Sequence, residues 1–269
     1  MYAVQAANVF FFAYNQLYPV IEGSSRDVFI KIKGRYDFRI FPADFAFLIW
    51  IVIYAALGVY SLYTLIPSKY IPSRNNDLVF NKIGFCVALC LFANTTWNVV
   101  FIRAVDPEQE NGIALSTIYL ILALILAAYS MVEVSKAKLT WLETVTVKFA
   151  VSITTGWLTA ANIVQVTYLG YIYVWTSEES RNGQFWPCAL TWIATAVYML
   201  ASWRCKDAIY GAVWVWTSIA VLAKNYEDQE RVEVGGVIIN FWIAIVLYTI
   251  YWLGSVGYFI VNMGKTADE

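Results

Sequence analysis

The chain is 269 residues long, 60% hydrophobic and only 14% charged, with a net charge of −1. A soluble domain holds about 45–50% apolar and about 25% charged residues, so this apolar excess excludes a single water-soluble core. The balanced charge excludes a nucleic-acid partner, and the absence of histidine removes the commonest metal ligand, haem ligand and general base.

Apolar runs of roughly 20 residues can cross a hydrocarbon core about 30 Å thick. They predict an all-α, polytopic transmembrane bundle of about eight helices. Five spans fall near Tyr2–Val20, Ala43–Ile66, Lys82–Arg103, Ile113–Lys136 and Glu143–Gln165. The aromatic stretch Tyr168–Trp175 is an optional continuation of the fifth. Three more fall near Phe185–Trp203, Ala208–Lys224 and Val234–Val261. Residues 1–175 are expected to form a five-helix core with a basic first loop, and 176–269 three further helices. The first span is the most polar, with Gln5, Asn8, Asn15 and Gln16. Pro19, Pro42, Pro67, Pro72, Pro107 and Pro187 all fall at or near predicted helix ends, where a missing N–H costs least.

Loop charge predicts an orientation. The even loops carry Lys69, Arg74, Lys136, Lys138, Arg204 and Lys206. The third, fifth and seventh loops are acid-rich, as in Asp106-Pro-Glu-Gln-Glu and Glu227-Asp-Gln-Glu. Both termini are therefore expected on the cytoplasmic or equivalent face. The first loop is basic (Arg26, Lys31, Lys33, Arg35, Arg39) for a reason other than topology. The N-terminus shows neither a secretory signal nor an Arg-rich transit pattern.

Charges inside the spans, the usual mark of an ion pathway, are nearly absent. Asp44 and Lys148 lie near helix starts, where capping or snorkelling accounts for them. Cys86, Cys90, Cys188 and Cys205 read as small buried apolar residues rather than a zinc site. No catalytic, metal or cofactor constellation emerges, so an enzyme is not expected.

The interior instead carries aromatic and amide side chains. On the second helix Phe47, Trp50, Tyr54 and Gly58 share a face. On the third, Asn94 and Asn98 stand one turn apart beside Trp97. The fifth carries Gly156-Trp157-Leu-Thr-Ala-Ala-Asn162. From the residues alone two readings stay open. One is packing, with amides bonding across helices for about 0.6 kcal/mol each. The other is an apolar cavity with a few convergent polar groups.

Three stretches in order carry a resemblance: Pro42-Ala-Asp-Phe-Ala-Phe-Leu-Ile-Trp50-Ile-Val-Ile-Tyr54, Asn94-Thr-Thr-Trp-Asn98 and Gly156-Trp157-Leu-Thr-Ala-Ala-Asn162. With Ala13-Tyr-Asn-Gln-Leu-Tyr-Pro-Val-Ile-Glu-Gly23 and Asp207-Ala-Ile-Tyr-Gly-Ala-Val-Trp214, the chain resembles the longer form of the TspO/MBR (tryptophan-rich sensory protein / translocator protein) family. The resemblance implies a five-helix pocket, covered by the first loop, for porphyrins, sterols or synthetic aromatic ligands. It assigns Trp50 and Trp157 to stacking on the ligand. Asn94, Asn98 and Asn162 would orient it, with Tyr54 and Trp97 beside them. Trp157 and Asn162 stand roughly 140° apart on an ideal helix, so both need not face one cavity. The family's Trp and Pro-Pro-Gly turn before the second helix is replaced here by Phe41-Pro42-Ala43. Leu65-Ile-Pro-Ser-Lys-Tyr70-Ile-Pro-Ser-Arg74 fits the loose sterol-contact pattern.

Two functions follow as expectations. The first is binding of an apolar or planar ligand, porphyrin or sterol-like, for sensing or transport. The second is a structural or accessory subunit of a large membrane assembly such as an organellar, for example mitochondrial, respiratory complex. Expected partners are membrane lipids, that ligand, and either a second copy or neighbouring subunits.

Overall fold

The computed structural model describes residues 2–22, 39–104, 110–175, 185–227 and 235–267. Among them the structure is helical, with no strand and eight long helices. Helix α1 is Tyr2–Glu22, and α2 (Ile49–Leu65) continues a 3-10 turn, Asp44–Leu48. Helix α3 (Gly84–Ala104) follows a π turn at Asp77–Lys82, and α4 is Glu110–Lys136. Helix α5 runs unbroken in direction over Trp141–Val174, with π turns at Thr144–Lys148 and Gly170–Val174. Helices α6 (Phe185–Cys205), α7 (Ala208–Glu227) and α8 (Gly235–Ala267) complete the set.

Among the described residues six helices, α2 to α6 and α8, are long and apolar enough to cross a membrane. This is an integral, multi-pass membrane protein. The predicted ends agree with the observed ones to within a few residues, and the aromatic stretch after Gln165 does continue α5. Arg26, Lys31, Lys33 and Arg35, the acidic stretches 106–109 and 228–230, Pro107 and Val234 lie outside the described residues, as do the side chains of Asn15 and Gln16.

The contacts divide into two compact units: residues 1–38 with 49–176, and residues 39–48 with 177–269. In the first, α1 packs on α2 and α3, α3 on α4, α4 on α5, and α5 on α2, which closes a ring. Water cannot drive helix association inside lipid, so close approach and buried hydrogen bonds must do it. Gly84 permits one such approach. A Cβ there would lie 2.3 Å from Val4 Cγ1 and 2.8 Å from the Val79 carbonyl oxygen. Two of the amides that make α1 polar reach its neighbours: Gln5 Nε2 donates to the Thr64 carbonyl of α2, and Asn8 Nδ2 to the Gly84 carbonyl of α3 at 3.3 Å.

At one end of this unit two buried charged groups, Arg74 and Glu143, are held by hydrogen bonds. Arg74, 4% exposed, caps the last turn of α2 by donating to the Tyr63 and Ile66 carbonyls at 3.0 and 2.7 Å. Glu143 closes a capping box with Thr140 and also accepts the Asn75 N–H at 2.6 Å, which ties the α2–α3 loop to the start of α5.

In the second unit α6, α7 and α8 pack pairwise. A left-handed Lys206 (φ 48°) ends α6, with the Asp207 N–H reaching the Ser202 carbonyl at 3.0 Å. Asp207 then caps α7 by accepting from the N–H groups of Ile209 and Tyr210, both at 3.0 Å. Tyr198 stacks between Tyr210 and Trp214, and the Tyr248 hydroxyl pairs with Ser202 Oγ at 3.1 Å.

Candidate functional site

Within the five-helix ring lies an apolar cavity of about 20 Å³. Its wall comes from four helices: Leu57 of α2, Val87, Cys90 and Leu91 of α3, Ala127 and Ser130 of α4, and Ala150, Val151 and Thr154 of α5. The volume of this cavity admits about one water molecule.

The predicted site residues stand one to two turns from this cavity along the bundle axis. The rings of Trp50 and Trp157 meet edge to face with centroids 6.1 Å apart, and Leu57 meets the helix of Ala150–Thr154 around the cavity. Helices α2 and α5 therefore run antiparallel, and the two tryptophans mark a storey about 5–10 Å from the cavity. On α3, Val87, Cys90 and Leu91 line the cavity, and the same stripe continues through Asn94, Trp97 and Asn98 at i+3 and i+4 spacing. The short α2–α3 loop makes these two helices antiparallel as well, which carries Asn94, Trp97 and Asn98 to the storey of Trp50 and Trp157.

Tyr54 stacks on Trp50 with centroids 5.1 Å apart, one turn toward the cavity. Trp97 is 7% exposed and stacks on Phe101 at 5.5 Å. Trp157 is 4% exposed, while Trp50, Tyr54 and Asn98 are half-buried.

Asn162 behaves differently from the α3 amides. Its Nδ2 donates to the Leu120 carbonyl of α4 at 3.2 Å and to that of Leu158 at 2.8 Å. One turn on, Gln165 Nε2 donates to Ser116 Oγ and Thr117 Oγ1 at 3.2 and 3.1 Å. The structure thus brings Trp50, Tyr54 and Trp157 together and places Asn162 on the seam with α4.

On α3 three polar atoms are buried without a hydrogen-bond partner: Asn94 Oδ1, Trp97 Nε1 and Asn98 Oδ1. Most buried polar groups in folded proteins are paired, so each of these needs an explanation. They offer one N–H donor and two carbonyl acceptors on a single face. The hydroxyl of Thr154, a cavity residue, is unpartnered too.

Cys90 and Thr154 were not singled out from the sequence as site residues. Cys90 could have been found, since it precedes Asn94 by one turn on the same face. Nothing in the sequence marks Thr154. The proposed sterol stretch forms the α2–α3 loop, where the Arg74 guanidinium is held by backbone carbonyls, Ser68 Oγ and Asn76 Oδ1, with Lys69 and Tyr70 exposed. Among the described residues, no group of three or more Cys, Asp or Glu could hold a metal ion.

The family model for TSPO-like proteins matches residues 3–253. No curated protein and no solved structure matches the chain significantly.

Proposed function

Because the chain belongs to the TSPO-like protein family, we propose that its first five helices bind an apolar, planar ligand, porphyrin or sterol-like, for sensing or transport rather than turnover. The observation that supports this reading is the trio Asn94 Oδ1, Trp97 Nε1 and Asn98 Oδ1, buried on one inward face with no protein partner. A ligand with a rim of polar groups would supply the missing bonds, and Trp50, Tyr54 and Trp157 would supply aromatic faces. A drug-sized ligand needs roughly 300 Å³ or more. Binding at the cavity of about 20 Å³ therefore requires the Trp50–Trp157 contact to open and the space beside it to widen.

A second reading, the structural or accessory subunit, is favoured by the contact between Trp50 and Trp157 and the small volume of the cavity near them. In that role the helices would bind lipids and neighbouring subunits, or a second copy, in an organellar membrane such as the mitochondrial one.

Titration with protoporphyrin in mild detergent, followed by tryptophan quenching, separates the two. The ligand reading expects saturable one-site quenching that Trp50→Phe/Trp157→Phe weakens by about tenfold, or about 1.4 kcal/mol. A fluorescent sterol forms the second arm. If neither probe saturates and proteins of fixed stoichiometry co-purify, the accessory-subunit reading replaces it.

A further inference from the structure

The end of the first loop is built into the second unit, and the chemistry of that attachment is specific. Residues Ile40, Phe41, Pro42, Ala43 and Ala46 are all buried. The Ala43 N–H donates to the Ala220 carbonyl of α7 at 2.9 Å. Two α7 side chains hold the flanks. Trp216 Nε1 donates to the Ala46 carbonyl at 3.0 Å, and Asn225 Nδ2 to the Arg39 carbonyl at 2.8 Å. Trp216 also packs edge to face on Phe45, with centroids 5.5 Å apart. An attachment of the strap at three points, one main-chain bond flanked by two side chains nine residues apart on one helix, is more than incidental packing. Without the strap the Trp216 indole N–H would lose its acceptor, and the Asn225 amide would keep only its bond to the Val221 carbonyl of its own helix at 2.8 Å.

The strap ends at Leu48 and the chain passes directly into α2, whose second residue is Trp50. The 3-10 turn Asp44–Leu48 is continuous with α2, so its carbonyls are the natural acceptors for the N–H groups of the first α2 turn. We infer that Trp216 and Asn225 are positioning residues: α7 clamps the strap and thereby holds the first turn of α2, and with it Trp50, in its ligand-facing pose. This gives the three appended helices a task. It deepens the ligand-binding reading and rests on that reading only for its affinity readout.

The test is backbone amide exchange and protoporphyrin titration on the full chain in detergent. The variants are Trp216→Phe/Asn225→Leu, which remove both donors and keep apolar volume. Trp192→Phe serves as control, since it removes an indole bond to Asn240 Oδ1 elsewhere in the same unit. The inference expects the double variant to speed exchange at Ala43 and over Ile49–Val52 by about tenfold or more, an opening of about 1.4 kcal/mol. Protoporphyrin affinity should fall by a factor of about five, while the control changes neither. Unchanged exchange at Ala43 shows that these two side chains do not hold the strap and overturns the inference. Faster exchange at Ala43 without any change over Ile49–Val52 overturns the positioning role. If the wild type binds no protoporphyrin, the ligand reading fails while the exchange data still decide the clamp.

Discussion

Two sets of amides sit inside the same five-helix unit and differ in what their N–H groups reach. Gln5, Asn8, Asn162 and Gln165 each donate across a helix seam, from α1 to α2 and α3 and from α5 to α4. Asn94 and Asn98, identical in chemistry and one turn apart on α3, leave their carbonyl oxygens buried and unpartnered beside the unpartnered indole N–H of Trp97. The first set is tied to neighbouring helices through its N–H groups, although Asn8 Oδ1 and Asn162 Oδ1 are buried without a partner as well. What distinguishes α3 is the grouping of two such oxygens and an indole N–H on one helix face. Residue type in a membrane helix thus says little about role until its partner is known, because the same amide is a fastener in one place and an open valence in another.

Substitutions can break that comparison. The largest effect is expected at the α1–α3 seam. Gly84→Ala drives a Cβ into Val4 and the Val79 carbonyl, so it should cost about 3 kcal/mol and lower the thermal midpoint in detergent. Adding Val4→Ala should recover part of that loss. If Gly84→Ala is neutral, the seam is looser than its distances say.

Next in size is the α3 pair. Asn94→Leu/Asn98→Leu keeps the side-chain branching and removes two buried unpartnered carbonyls, so the ligand-free protein should gain about 2 kcal/mol while protoporphyrin binding weakens. A gain without weakened binding would detach these residues from the site. The smallest effect belongs to the fasteners. Asn162→Leu and Gln165→Leu should each cost about 0.5–1 kcal/mol and leave ligand affinity unchanged, the opposite sign to the α3 pair in the same thermal assay.

Much of this was legible beforehand, for identifiable reasons. Hydropathy located the helices, including the continuation of α5 through Tyr168–Val174. Helical spacing alone warned that Trp157 and Asn162 need not share a cavity, and the Asn162 bond to Leu120 shows where that side chain went. The meeting of Trp50 with Trp157 across α2 and α5 could not be read the same way, because the two residues are 107 positions apart and only the resemblance paired them.

The sequence by itself determined the class of molecule, the number and rough limits of its helices, and its family. Those properties depend on how many consecutive residues are apolar and on short-range spacing, both local quantities. Only the tertiary structure decided which amides donate across a helix seam, and that residues 39–48 belong with α6–α8 rather than with the helix they lead into. Each of these depends on a partner supplied by a distant stretch of chain: Leu120 for Asn162, Ala46 for Trp216, Arg39 for Asn225. A hydrogen bond is directional and short, so its making or absence is settled by where two helices come to lie.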